Sequence, residues 1–232
     1  MLSIVIPTFN EEKFLPHLLK SLKEQSFKDF EIIVADNNST DKTRLIALNS
    51  GARVVNGGLP ARGRNNGAKV ASGEWLLFLD ADVILSSDFL EKAILEIREL
   101  TLTAASCMVC PLSKRIVDKF LHNFVNFYFQ ATKKYFAHAP GFCIFAKRDV
   151  HKLIGGFNEK IVLAEDHDYV LRISKIEKFD FLKSVQIPVS VRRLDKDGRL
   201  NVFLKYLAVE MHLIFLGPVC SNIFNYKFGH FG

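Results

Sequence analysis

The stretch "EWLLFLDADVI", residues 74–84, ends a run of apolar residues with two carboxylates, Asp80 and Asp82. The apolar run predicts a strand that is covered on both faces, as in a parallel sheet. Side chains two positions apart in a strand point to the same face, so the two acids are expected to converge. Because like charges at the end of a buried strand are costly, this pattern indicates a positive partner.

The segments around this strand alternate between strand and helix patterns. Short β-branched runs at 2–7 and 31–36 flank apolar residues at helical spacing between 14 and 22, which indicates a strand–helix–strand unit. The alternation continues with a strand at 52–55 and helices at 61–72 and 87–100. We therefore predict the α/β class: a Rossmann-like, mostly parallel sheet flanked by helices, with ligands at the carboxyl ends of its strands.

Polar residues follow three of the predicted strands. "PTFNEE" follows the first strand, "ADNNSTD" the second, and "DAD" ends the strand quoted above. Carboxyl ends of parallel strands meet at one edge of a sheet, so these segments predict a single polar crevice. Asn, Ser and Thr are also ordinary helix caps and turn residues, and for Asn10, Ser39 and Thr40 alone both interpretations stay open.

The composition limits the classes of function. The 232 residues suffice for one large domain or two small ones, and Lys and Arg exceed Asp and Glu by 31 − 25 = 6. This excess makes anionic partners plausible: nucleic acid, phosphorylated small molecules or an acidic membrane surface. The N-terminal segment lacks a signal-peptide pattern, and the four cysteines form no secreted framework, so a cytoplasmic setting is expected. Cys107 and Cys110 are expected to be buried, inert thiols on opposite faces of a strand.

The second half of the chain contains two apolar-rich helical patterns. Residues 118–134 combine a polar stripe with an unusually aromatic face, and residues 200–219 are rich in apolar residues but carry Lys205, Glu210 and His212. The second stretch is therefore a poor candidate for crossing a bilayer. Both patterns predict amphipathic helices that either pack on the domain or lie at a membrane interface.

Five blocks of the sequence resemble glycosyltransferase family 2, the inverting enzymes of the GT-A fold. In chain order these blocks are "VIPTFNEE", "DNNSTDKT", "ARGRNNGAKVASGEWLLFLDAD", "GFCIFAKRDVHKLIGGFNE" and "AEDHDYVLRI". The resemblance implies a catalytic domain over residues 1–195. Its nucleotide-sugar-binding half is 1–100 and its acceptor-side half is 101–195, and residues 196–232 form a C-terminal amphipathic extension.

The resemblance also implies roles on the donor side. Asp82 is expected to bind a divalent metal, Mn²⁺ or Mg²⁺, and Asp80 to lie nearer the ribose and the metal's waters; carboxylate oxygens are suitable ligands for both ions. Asp36 is expected to accept a hydrogen bond from the base, and Arg64 to lie between base and phosphates. The remaining donor-binding residues implied are Pro7, Thr8, Asn10, Glu11 and Asn38.

On the acceptor side, the resemblance makes Asp166 the general base that accepts the proton of the attacking hydroxyl. Glu165 and Asp168 are then supporting or helix-starting residues, and His167 is interpreted as a flanking side chain. Other positions that match acceptor-side blocks are Gly141, Gly155, Gly156 and Phe157, with the glycines serving tight turns. Arg192 and Arg193 resemble a late arginine pair of some members and are predicted phosphate contacts; a solvated basic loop is the alternative.

The predicted function is metal-dependent transfer of one sugar from a UDP- or GDP-sugar to a hydroxyl of a glycan or lipid-linked acceptor. Single transfer is favoured because the Q-x-x-R-W motif of processive polymerases is missing. A polyprenyl-phosphate sugar synthase, resembling dolichyl-phosphate mannose synthases, is the first alternative. A sugar-1-phosphate nucleotidyltransferase is a second, disfavoured because "IPTFNEEK" has no glycine. A basic membrane-surface module is the non-enzymatic alternative. Nucleic acid is disfavoured because the acidic strand ends repel phosphates.

Overall fold

The computed structural model describes residues 1–134 and 136–224, which form one sheet covered by helices. The strands are β1 (Leu2–Thr8), β2 (Phe30–Asp36), β3 (Arg53–Asn56), β4 (Trp75–Leu79), β5 (Ala104–Pro111), β6 (Cys143–Lys147) and β7 (Phe179–Val189). The helices are α1 (Leu15–Lys23), α2 (Thr43–Asn49), α3 (Pro60–Val70), α4 (Phe89–Glu99), α5 (Ile116–Thr132), α6 (Arg148–Leu153), α7 (Glu165–Ser174), α8 (Arg192–Asp197) and α9 (Arg199–Phe215).

The strands are ordered β3-β2-β1-β4-β6-β5-β7 in one seven-stranded sheet. Strand β1 runs parallel to both β2 and β4, whereas β6 is antiparallel to β4 and β5. The prediction of a mostly parallel α/β sheet is therefore confirmed. Because β1, β2 and β4 are parallel neighbours, their carboxyl ends lie at one edge, where the polar segments follow them.

Strand β4 ends at Leu79, one residue before the first acid. Asp80 lies just beyond the strand, and Asp82 lies in the turn that follows. The prediction that strand alternation aligns the two carboxylates was wrong in its mechanism. The turn, rather than the pleat, brings these acids into the crevice.

Both faces of the central strands are buried, which explains their continuous apolar sequence. In β1, Ile4 and Ile6 pack on one side with Leu18 of α1, and Val5 packs on the other side with Ala61 of α3. Helix α3 lies very close to the sheet at Gly67, where any Cβ atom would overlap the side chain of Val5. This close approach determines the depth at which α3 holds the side chains at its other positions.

Helix α5 turns Asp118 and Asn126 toward the domain and leaves Phe120, Phe124 and Phe127 exposed, whereas Phe129 is buried. Asp118 is fully buried and accepts hydrogen bonds from Arg199, and the Asn126 side chain bonds the backbone N–H and C=O of Val109. In contrast, Phe120 and Phe127 are 68% and 71% exposed. The predicted aromatic face exists, and most of it does not pack on the described part of the domain.

The sheet continues from the first half of the chain into the second, since β5, β6 and β7 extend it beyond β4. The division at residue 100 and the boundary at 195 stay predictions; the latter falls within α8, and residues 225–232 of the extension lie outside the described residues. Of the two β5 thiols, Cys107 is buried as expected, but Cys110 is half-buried. Within the described ranges, no helix combines the length and the apolar character needed to cross a bilayer.

Candidate active site

The first part of the crevice is formed where β1 and β2 end. The buried carboxylate of Asp36 accepts hydrogen bonds from the hydroxyls of Thr8 (3.2 Å) and Ser39 (2.6 Å), which fix its orientation. Beside it is a cleft of about 220 Å³, a size suited to part of a small ligand. Its lining residues are Asp36, Asn37, Asn38, Asn56, Gly57, Gly58 and Arg62.

The loops after β1 and β2 bind each other. Asn10 donates its backbone N–H to the Ser39 hydroxyl at 2.9 Å, and its side-chain oxygen accepts the Thr40 N–H at 2.9 Å. None of these side chains caps α1 or α2. Asn10 and Asn38 both adopt positive φ, at 56° and 54°, a conformation that Asn tolerates better than most residues. These polar residues therefore shape the crevice, and the helix-cap interpretation is wrong for them.

Each acid after β4 faces an arginine. Asp80 is 3.0 Å from an Nη of Arg64, and Asp82 is 3.2 Å from an Nη of Arg192. The same Arg192 is 3.5 Å from Glu11 and lies over the Phe14 ring at 4.2 Å. In the described structure, arginines thus occupy the position of the positive partner that the sequence predicted.

The carboxylates of this region are held in an unfavourable electrostatic environment. Desolvation raises the pKa of Glu11 to about 7, with Asp82 and Asp80 adding to the shift and Arg192 opposing it. Desolvation also raises the pKa of Asp80. Repulsion from Asp82 and Asp166 raises this pKa further, whereas attraction to Arg64 lowers it. Clustered carboxylates with raised pKa values are typical of functional sites.

Arg64 connects the two sides of the crevice. It is only 3% exposed, donates hydrogen bonds to Glu165, Asp80 and the Gly141 carbonyl, and lies 5.3 Å from the centre of the Phe157 ring. A solvated surface cation, the simplest interpretation of an isolated arginine, is thereby excluded. Loss of this guanidinium would leave two carboxylates without their partner, which is strongly destabilising.

Asp166 lies in the first turn of α7, beside the Arg64 network. Its carboxylate accepts a hydrogen bond from the backbone N–H of His167 at 2.9 Å. Ala164, the residue before α7, adopts a left-handed conformation with a φ of 63°. Such a φ is strained for alanine and is often found at functional sites. Asp168 instead forms an ion pair with Arg172 on the same helix, as expected of a supporting residue.

Three glycines, which the sequence resemblance assigns to the acceptor side, have different structural roles. Gly156 has a φ of 72° and is close to Asn65, whose amide bonds the backbone N–H and C=O of Phe157. Gly155 also has a positive φ, 75°, so the prediction that this pair serves a tight turn is confirmed. Gly141 differs, because a side chain there would collide with Arg64 and Asp166, whereas its backbone conformation does not require glycine.

If the site hydrolyses a sugar nucleotide, as the resemblance in the sequence implies, we expect Gly141→Ala to reduce that hydrolysis about 100-fold, because its Cβ would lie 2.7 Å from Arg64 Nη2 and 2.9 Å from Asp166 Oδ2. The free energy of unfolding should fall by about 1–3 kcal/mol, as for other overpacked sites. Gly155→Ala is the control, since its Cβ meets no atom within 4 Å and only its positive φ is penalised. Equal activity in the two variants would contradict this account.

Two predicted site residues, Pro7 and Arg193, are partly covered by the fold, and some contacts in the site were not predicted. Pro7 is half-buried in β1, and Arg193 is half-buried at the start of α8, so neither is a freely solvated side chain. Sequence reasoning missed Phe14, His138 and Glu210. Nothing in a single sequence connects Phe14 to Arg192, because only the fold brings them together.

The fold and the site can be compared with known proteins. The family model described as "Glycosyl transferase family 2" matches residues 3–153, most of the chain. The chain belongs to glycosyl transferase family 2. Its sheet is confirmed as the GT-A type by the solved structure of Staphylococcus aureus TarS, with a TM-score of 0.66 at 23% identity over 91% of this chain and 39% of that one.

Curated relatives match part of the sequence. The poly(ribitol-phosphate) β-N-acetylglucosaminyltransferase TarS of S. aureus is 37% identical over 101 residues, 39% of this chain and 18% of its own length. A Campylobacter jejuni GalNAc(5)-diNAcBac-PP-undecaprenol β-1,3-glucosyltransferase is 41% identical over 90 residues, 35% of this chain and 29% of its own. A Pyrobaculum calidifontis mannosyltransferase, solved with GDP-Man and Mn²⁺, has a TM-score of 0.66 at 20% identity, over 89% of this chain and 64% of that one. The alignments thus span less than a third of the curated relatives.

Proposed function

We propose that this family 2 protein is a metal-dependent inverting glycosyltransferase that moves one sugar from a nucleotide sugar to an acceptor hydroxyl. The observation that carries the proposal is the meeting of Asp80, Asp82, Arg64 and Asp166 at the edge where β1, β2 and β4 end. Displacement of a nucleoside diphosphate requires three kinds of group: acids that bind a metal ion, cations that bind the phosphates, and a carboxylate that acts as the base.

The residues present fit a divalent cation. Glu11, Asp80 and Asp82 repel one another, and Oε2 of Glu11 is buried without a hydrogen-bond partner among the described residues. A hard cation would relieve this repulsion, and we assign it to Asp82 with Asp80 beside it, as Mn²⁺ or Mg²⁺. When bound, the cation neutralises the charge that develops on the leaving diphosphate.

The proposed donor pocket extends from the cleft at Asp36 to the arginines. Asp36, with its acceptor oxygens oriented by Thr8 and Ser39, would receive a base N–H, and Asn38 lines the same cleft. Two proteins of similar fold were solved with nucleotide sugars, S. aureus TarS with UDP-GlcNAc and the P. calidifontis mannosyltransferase with GDP-Man, which agrees with a nucleotide-sugar donor.

Arg192 is proposed to change partners when the donor binds. It contacts Asp82 and Glu11 now, where it substitutes for the cation. A metal–diphosphate complex would take over the carboxylates and present phosphate oxygens, which guanidinium groups bind in bidentate geometry. Arg193, adjacent in α8, is proposed as a second phosphate contact.

The decisive experiment for this proposal is a panel of nucleotide sugars with the full chain, scored for thermal stabilisation and for donor hydrolysis with Mn²⁺ or EDTA. We expect one nucleoside diphosphate to raise the Tm only with the cation, by mass action. The matching monophosphate is the control, because it lacks the diphosphate that the cation bridges. Stabilisation that is equal with EDTA, or that no nucleotide produces, would refute the proposal.

We further propose a lipid-linked acceptor reached at an anionic membrane surface. The outward faces of α5 and α9 lie side by side, with the Phe124 and Phe203 rings 6.3 Å apart. Exposed apolar side chains on these helices include Ile116, Phe120, Phe127, Leu200, Leu204, Leu207 and Phe215. Exposed lysines, including Lys119 and Lys205, occur among them, as in helices that bind anionic interfaces. The name of the C. jejuni relative likewise specifies a lipid-linked substrate.

We expect the double variant Phe120→Ser/Phe127→Ser to lose co-sedimentation with anionic vesicles, by roughly 10-fold or more for each aromatic side chain removed from the interface. The wild-type chain should bind anionic vesicles more tightly than zwitterionic ones. Leu45→Ser/Leu48→Ser is the matched control, since these α2 residues are 56% and 53% exposed. Equal vesicle binding by the two double variants would count against the surface assigned here.

A further inference from the structure

Three side chains that the proposed reaction does not use converge away from the carboxylates after β4. They are His138 in the segment after α5, His167 in the first turn of α7, and Glu210 in α9. Their candidate ligand atoms all lie within 4.8 Å of one another. The three come from separate parts of the chain, so their convergence is a property of the fold and not of local sequence.

The distances at Glu210 leave room for an ion between the two histidines and the carboxylate. Nδ1 of His138 lies 3.4 Å from Oε2 of Glu210, and Nδ1 of His167 lies 3.4 Å from Oε1. These separations are longer than ordinary hydrogen bonds, and neither Nδ1 has a hydrogen-bond partner among the described residues. Ligand atoms bound at about 2.0–2.1 Å to a tetrahedral Zn²⁺ are about 3.4 Å from one another.

The two imidazole rings are stacked, so a shared ion would require one ring to rotate about its Cβ–Cγ bond. Their centroids are 4.5 Å apart with an interplanar angle of 18°, and His138 is 3% exposed. One protonated histidine would satisfy the Glu210 carboxylate but leave a second buried imidazole against it. Tyr128 donates its hydroxyl to Glu210 at 3.2 Å, the kind of outer partner that orients a ligating carboxylate.

We propose that His138, His167 and Glu210 form a second metal site, selective for Zn²⁺ and separate from the cation site at Asp82. Two imidazoles and one carboxylate are the ligands that borderline-soft Zn²⁺ takes and that Mg²⁺ avoids. The bound ion would join α9 to the first turn of α7, next to Asp166, and so position the C-terminal helix. The site does not depend on the proposed glycosyl transfer.

The test uses the full chain stripped with EDTA and ZnCl₂ or CoCl₂ alone, without nucleotide. We expect one tight Zn²⁺ per chain, a Tm increase of roughly 5–10 °C at 100-fold excess over Kd, and the intense visible absorption of tetrahedral Co²⁺. Glu210→Gln and His138→Gln should each weaken Zn²⁺ binding by more than 100-fold. Loss of a residue that only orients a ligand weakens metal binding by roughly 10–100-fold. Asp82→Asn is the matched control and should keep the Zn²⁺ affinity.

Two results would overturn the inference. One is a wild-type chain that neither binds Zn²⁺ nor gives the tetrahedral Co²⁺ spectrum, a measurement that needs no variant to fold. The other is Zn²⁺ binding that Asp82→Asn abolishes and both Glu210→Gln and His138→Gln retain, which would assign the ion to the carboxylates after β4. Each variant is first checked for a cooperative thermal transition without metal.

Discussion

Asp82→Asn should lower Mn²⁺-dependent donor hydrolysis and sugar transfer on the order of 10³-fold, because a neutral amide binds the proposed divalent cation, which would stabilise the leaving diphosphate, far more weakly than a carboxylate does. The substitution preserves side-chain size, so the turn after β4 should keep its shape. It also removes a carboxylate whose charge raises the pKa values of Glu11 and Asp80. The loss of activity is therefore expected without a comparable loss of stability.

The control for this prediction is Asp88→Asn. Asp88 also follows β4 but interacts with Lys92 and Ser86 at the surface, so its replacement should leave activity near that of the wild-type protein. The activity of Asp80→Asn should lie between those of Asp82→Asn and Asp88→Asn, because Asp80 already has a fixed partner in Arg64. Full Mn²⁺-dependent activity in Asp82→Asn, measured over a range of Mn²⁺ concentrations, would refute the assignment.

Local sequence pattern was sufficient to predict the sheet and one edge of it. The strands at β1, β2 and β4 are buried on both faces, so their apolar runs are continuous, and parallel neighbours necessarily present their carboxyl ends together. Single sequence did not reveal that β4 stops at Leu79, since Asp80 and Asp82 follow an unbroken apolar run. A strand ends where its hydrogen bonds to neighbouring strands end, and these neighbours are determined by the tertiary fold.

Contacts between distant segments account for what sequence reasoning missed. Arg64 and Glu165 are 101 positions apart, and Arg192 and Glu11 are 181 apart, yet each pair meets in the crevice. The inward polar residues of α5 are a further case: Asp118 is buried because Arg199 of α9 binds it. Helical periodicity predicted an amphipathic helix but not which face would turn outward.

The second large effect is expected for Asp166→Asn, which should reduce transfer to a hydroxyl acceptor by roughly 10²–10⁴-fold, the usual contribution of a general base. Donor affinity should change little, since the donor contacts proposed here come from other residues. Stability should change little, because removal of the Asp166 charge relieves repulsion of Asp80 and Glu165 but also removes attraction to Arg64 and His167. Single-turnover transfer and thermal unfolding together measure both halves of the prediction.

The same variant distinguishes the two acceptor classes. A hydroxyl must lose its proton during the attack, whereas a polyprenyl phosphate is already an anion and needs no base. A change of less than about threefold in Asp166→Asn would therefore favour a phosphate acceptor and contradict the hydroxyl assignment. Asp168→Asn is the control, since its carboxylate pairs with Arg172 along α7 and should affect stability more than chemistry. If both variants lose transfer equally, the first turn of α7 has a structural role and Asp166 is not the base.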